Sequence, residues 1–127
     1  MTDRELLEAA AKAAGMSGWR WSGSGMSKML DPSRPTETGS IGADWNPLLD
    51  DGDALRLVVG LGLAVIPYPI YAKPKHSVIS KQYDHARYLR GESEDVRIEE
   101  IQVYGDDPMA ATRRAIVCAA AAIGRAT

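Results

Sequence analysis

Three aspartates stand close together in "DWNPLLDDGDALRLVVGLG", residues 44 to 62. Carboxylates this dense can hold a hard cation. A calcium loop, however, alternates its oxygen ligands and closes with a glutamate. Here Gly52 falls between Asp51 and Asp53, and no Glu follows in the apolar run. The competing reading is a helix start, with Asp51 or Asp53 as the N-cap and acids favoured by the helix dipole. Gly60-x-Gly62 has the outline of a dinucleotide loop, but it follows a helical pattern and precedes an extended one, the reverse of what that chemistry needs. His76 and His85 are the only histidines. Asp84 adjoins His85, but neighbours on a strand face opposite ways, so they do not form a catalytic pair. Cys118 is the only cysteine and lies in the alanine-rich "AIVCAAAAIG". That context fits a small buried thiol rather than a nucleophile.

Binding chemistry is better represented than catalysis. The chain has no Phe, and its aromatic bulk is Trp and Tyr, which keep a polar handle. Tyr83 and Tyr88 are interleaved with Arg87 and other cations, as a stacking and phosphate-binding surface requires; amphipathic strand packing explains the same pattern. The stretch from 22 to 44 is rich in Gly, Ser, Thr and Pro. A connection that long is uncommon in a compact domain and is either slack or functional. Met26 and Met29 are adaptable apolar contacts in it, and Lys28 and Arg34 suit an acidic or phosphate group. With Trp45, these eight residues (Met26, Lys28, Met29, Arg34, Trp45, Tyr83, Arg87 and Tyr88) are the candidate binding set. No metal site and no cofactor are expected.

These residues need a scaffold. A chain of 127 residues that is 45% hydrophobic suits one domain with a real core. A net charge of -2 gives no general pull towards nucleic acid or an anionic membrane. The start, "MTDRELLEAA", lacks the apolar core of a secretory signal, and no apolar run reaches the ~20 residues of a membrane span. A soluble, cytoplasmic protein is expected. Thr2 and Glu5 stand at capping-box spacing before a helix that Gly15 stops. Trp19 and Trp21 alternate as a short strand. A second helix begins at the aspartates and ends at Gly60 and Gly62. "LAVIPYPIYA" reads as an extended edge, distorted by Pro67 and Pro69. Residues 76 to 90 and 96 to 104 read as strands, the latter with a bulge or a twist near Glu100 that brings Ile101 and Val103 out of phase with Val96 and Ile98. Asp107 and Pro108 open a last helix that runs to about Gly124. The expected fold is α+β, a small, mostly antiparallel sheet sandwiched between helices in a single domain spanning 1–127.

Two stretches, "WNPLLDDGDALRLVVGLGLAV" and "DDPMAATRRAIVCAAAAIG", together resemble the phage ABA sandwich domain family, and "DRELLEAAAKAAG" with its following tryptophans fits the same pattern. The resemblance covers under half of the chain. It implies a phage or prophage origin and a sheet between helices, and it supplies no activity and no catalytic residues. The expectation that follows is a non-enzymatic inhibitor of a host anti-phage defence system, which binds a host protein complex or a nucleotide signal stoichiometrically. The alternative is an accessory or structural phage protein that forms a homo-oligomer. A small enzyme using the two histidines is the third and weakest reading. A dimer is the expected assembly, since two-fold closure is commonest and a proline-marked sheet edge needs covering.

Overall fold

A computed structural model of the chain describes residues 2–16, 19–21, 26–28, 45–67, 77–83, 96–103 and 105–126. Helix α1, Asp3–Ala13, opens as its spacing predicts: the Thr2 Oγ1 accepts the Glu5 amide at 3.2 Å. Gly15, at φ 72°, turns the chain away in the left-handed region beyond its end. Helix α3, Pro108–Ala126, starts on Asp107, whose Oδ1 accepts the amides of Met109 and Ala110, both at 3.1 Å. It runs two residues beyond the expected Gly124 stop, because that glycine serves packing rather than termination.

At Gly124 α3 meets α1. A Cβ there would overlap the Ala9 carbonyl and come within 3.3 Å of the Ala13 amide nitrogen. The two helices approach this closely because their facing residues are small. Ala10 and Ala11 on α1 and Ala115, Ala119, Ala120 and Ala121 on α3 are all buried, with Leu6, Leu7, Val117 and Ile123 filling the rest. Interaxial distance follows the size of the contact residues, so alanine and glycine faces bring helices near the short end of the range.

Helix α2, Asp51–Leu61, ends on Gly62 in the left-handed conformation, φ 63°. Gly60 lies inside it and does not end it, contrary to expectation. The chain then enters an antiparallel sheet of order β3-β4-β5: Leu63–Pro67, Ser77–Tyr83 and Val96–Val103. Proline ends the edge strand β3, where a missing N–H costs no ladder bond. The architecture is α+β, with helices flanking an antiparallel sheet. Leu63, Val65 and Ile98 turn towards the helices, and Gln82 donates from Nε2 to the Leu61 carbonyl at 2.9 Å, satisfying an orphan group at the end of α2.

Two expectations are corrected. The pairing is regular from Ser77↔Val103 to Gln82↔Ile98 and shifts at Gln82/Tyr83, where Tyr83 pairs with Val96 and Arg97 is passed over, so the irregularity of β5 lies three residues before Glu100 rather than at it. Ile101 and Val103 are out of phase with Ile98 because they lie on the exposed face of the regularly paired part of the strand. Within 22–44, Met26–Lys28 forms a strand, β2, paired antiparallel with β1 (Trp19–Trp21), so Trp19 lies opposite Lys28. Among the described residues no helix is long and apolar enough to cross a membrane.

Replacing Gly124 by Ala tests the helix contact. Helix propensity alone favours Ala by about 1 kcal/mol. Overpacking against rigid backbone costs about 1–3 kcal/mol and commonly more than it returns. Urea unfolding of Gly124→Ala should show lower stability than the parent; equal or higher stability would contradict the close approach.

Candidate functional site

The aspartate cluster is used up by structure. Asp50, rather than Asp51 or Asp53, is the N-cap of α2, and its Oδ2 accepts the Asp53 amide at 2.8 Å. Asp53 reaches back, its Oδ2 accepting the Asn46 amide at 2.9 Å and its Oδ1 pairing with Arg56 Nη1 at 3.1 Å. Asp51 pairs with Arg113 across the groove to α3 at 2.8 Å. Asn46 completes the knot: its Oδ1 accepts from Leu48, and its carbonyl from Leu49 and Asp50. Pro47 is fully buried beside it. Among the described residues no group of potential ligands is gathered for a metal ion.

What the knot fixes is Trp45, which is 9% exposed and immediately precedes Asn46. Trp45 forms one wall of a cavity of about 490 Å³. Trp19 and Met16 come to it from the chain that leaves α1, and Ala13 and Ala14 from the end of that helix. The facing wall is α2, through Asp53, Arg56, Leu57, Gly60 and Leu61. Those positions follow helical spacing, so one face of α2 lines the cavity. The volume falls within the roughly 300–1,000 Å³ usual for small-ligand sites, which are apolar and carry a few placed polar groups.

Gly60 matters to that wall. A Cβ at Gly60 would meet no atom within 4 Å, so packing does not require glycine there. An interior helical glycine costs about 1 kcal/mol relative to Ala. Its effect is to leave the cavity wall flat. Arg56 stands at the rim, with a side chain 76% exposed and tied to Asp53 through Nη1. An exposed pair of this kind contributes roughly 0–1 kcal/mol. The guanidinium therefore keeps donors to offer a ligand's acceptor.

The expected binding set is brought together only in part. Trp45 lines the cavity. Met26 and Lys28 lie on β2, and Lys28 is the register partner of Trp19. Tyr83 ends β4. Met29, Arg34, Arg87 and Tyr88 lie outside the described residues, as do His76 and His85. Lys81 pairs with Glu99 at 3.7 Å on the exposed sheet face. Trp19, Arg56 and Gly60 were not in the expected set. Trp19 was visible as half of a Trp-x-Trp strand, and the others as members of the second face of α2.

Cys118 is half-buried, with Gln102 Nε2 3.9 Å from its Sγ. Burial, reinforced by Glu100, pushes its thiol pKa up. A raised pKa lowers the thiolate fraction at neutral pH, the opposite of an activated nucleophile.

Comparison with protein-family models, with curated proteins and with solved structures gave no match.

Because Asp50 caps α2 and no ion is needed to hold the cluster, Asp50→Ala should cost about 0.5–2 kcal/mol of stability. Calcium or magnesium should leave the melting temperature of the parent unchanged. A metal-dependent rise that disappeared in Asp50→Ala would contradict the capping role.

Proposed function

We propose that the chain is a phage-encoded, non-enzymatic binding protein that inhibits a host anti-phage defence system by holding a nucleotide signal stoichiometrically. One observation carries the ligand class: Trp19 and Trp45, distant in sequence, line one cavity with Arg56 at its rim. Indole faces take a planar base whatever its hydrogen-bonding edge, at about 1–3 kcal/mol per stacked base. A guanidinium suits the phosphate that a nucleotide carries beside its base. The phage setting rests on the resemblance of residues 45–65 and 106–124 to the phage ABA sandwich family, and the inhibitory role is our inference from that setting and from a sequence without a recognisable catalytic motif.

Sequestration needs tight seating and no reactive group. The Asp50–Asp53–Asn46 knot supports such seating, because it holds Trp45 against the first turn of α2 before any ligand arrives. Preorganisation of this kind removes part of the ordering cost of binding. Gly60, kept despite its helical cost, supports the same reading.

Titration with mononucleotides and cyclic dinucleotides, followed by tryptophan fluorescence, tests it. Saturable quenching at equimolar ligand is expected for at least one nucleotide, with the ligand recovered chemically unchanged. Trp45→Leu should weaken binding by about 1–3 kcal/mol. Arg56→Ala should weaken nucleotide but not nucleoside binding. Gly60→Leu should block the cavity while leaving a cooperative melt. Quenching by none of these ligands, in a protein that scattering shows to be a ligand-free oligomer, would overturn the reading in favour of a structural phage protein; a chemically altered ligand would make it an enzyme.

A further inference from the structure

Asp53 is the third residue of α2, where an acid ordinarily reaches back to the amide of the N-cap. That task is taken here. The Asp50 amide is given to the Asn46 carbonyl at 2.8 Å. Asp53 reaches past the cap instead. Its Oδ2 accepts the Asn46 amide at 2.9 Å, and its Oδ1 holds Arg56 Nη1 at 3.1 Å. Its side chain is 15% exposed and lines the tryptophan cavity. A carboxylate withdrawn this far from water is costly unless its oxygens are engaged. Each oxygen is engaged by a different part of the site.

The first contact acts on Trp45. The Asn46 amide belongs to the Trp45–Asn46 peptide bond. That bond is planar, so holding its N–H also fixes the Trp45 carbonyl and the direction in which the chain delivers the indole. The second contact acts on Arg56. Stability does not explain it, because the Arg56 side chain is 76% exposed and such a pair contributes little. Its effect is to orient. A free arginine samples many rotamers, and ordering it on binding is costly. Held through Nη1, the guanidinium already presents its other N–H groups at the rim.

We propose that Asp53 is the positioning residue of this cavity and sets the spacing between the indole of Trp45 and the guanidinium of Arg56. The proposal rests on the nucleotide reading above and deepens it. A nucleotide carries base and phosphate on one sugar. Both contacts form together only if their protein partners stand at a matching distance. Asp53 makes that distance a property of the free protein. As an anion beside a phosphate it opposes the ligand's charge, so its contribution lies in what it holds.

Two replacements separate its two contacts. Asparagine keeps one oxygen acceptor and exchanges the other for an amide donor. In Asp53→Asn the acceptor stays on the Asn46 amide, which is part-buried, and the exposed Arg56 turns away to water. Asp53→Ala releases both. Nitrogen-labelled protein without ligand reads this directly by nuclear magnetic resonance. The Arg56 Nε resonance should move in both variants, and the Trp45 indole resonance in Asp53→Ala only. Fluorescence titration with each mononucleotide and its nucleoside reads the consequence. The advantage of nucleotide over nucleoside should fall about two- to tenfold in Asp53→Asn, as the ordering of one long side chain costs. Loss of a negative charge would by itself raise that advantage, so the fall reports lost positioning. An advantage unchanged or raised in Asp53→Asn would overturn the proposal. So would Trp45 and Arg56 resonances that stay in place in Asp53→Ala. Failure of every nucleotide to bind the parent would sink the nucleotide reading, and the ligand-free resonances would still decide the positioning role.

Discussion

The contact between α1 and α3 at Gly124 governs the rest of the molecule. Where a glycine lies under the Ala9 carbonyl, the helices have one relative position and little tolerance for another. That position sets where α1 ends. Ala13, Ala14 and Met16 line the tryptophan cavity, and Trp19 follows within the same short stretch. A larger residue at the crossing would push α1 outward and carry one wall of the cavity with it. The alanine-rich faces of α1 and α3 are thus the means by which a small domain positions a binding wall, because they bury surface while keeping backbones near one another.

Helix α2 is the second organising element. Its start is over-determined: Asp50 caps it, Asp53 ties it back to Asn46, and Asp51 reaches Arg113 on α3. Each carboxylate that a sequence reader might assign to an ion is instead spent on a backbone amide or a guanidinium. The result is a helix held on both flanks, with a recess on either side. One recess is aromatic with an arginine at its edge, and the other is mostly aliphatic, with the Asp51–Arg113 pair in its lining. The two differ in the chemistry they can accept, although a single helix separates them.

Local signals were legible in the sequence. Thr2 with Glu5, Gly15, Gly62, and Asp107 with Pro108 act at the helix ends where their backbone preferences place them, since caps depend only on neighbours within a turn. The α+β class followed from the same periodicities. Other features depend on contacts that no local pattern carries. Among Asp50, Asp51 and Asp53, each chemically able to cap, the choice was made by Asn46 and Arg113, the latter 62 residues further on from Asp51. Ile101 and Val103 suggested a bulge because exposed apolar residues imitate a change of face. Met26–Lys28 has no alternation to mark it and is a strand only because Trp19–Trp21 pairs with it. The candidate site was half visible: Trp45 stood out by its neighbours, whereas Arg56 and Gly60 acquire meaning only when α2 is turned to face Trp19.

The central claim is that Trp19 and Trp45 together form the binding wall. The chain has three tryptophans, so three indole N–H resonances report on it separately. Nuclear magnetic resonance of the nitrogen-labelled protein, titrated with a nucleotide and assigned by single replacements, measures this directly. The account predicts saturable shifts that are largest at Trp19 and Trp45 and smaller at Trp21. Shifts confined to Trp21, or no indole shift at saturating nucleotide, would contradict it.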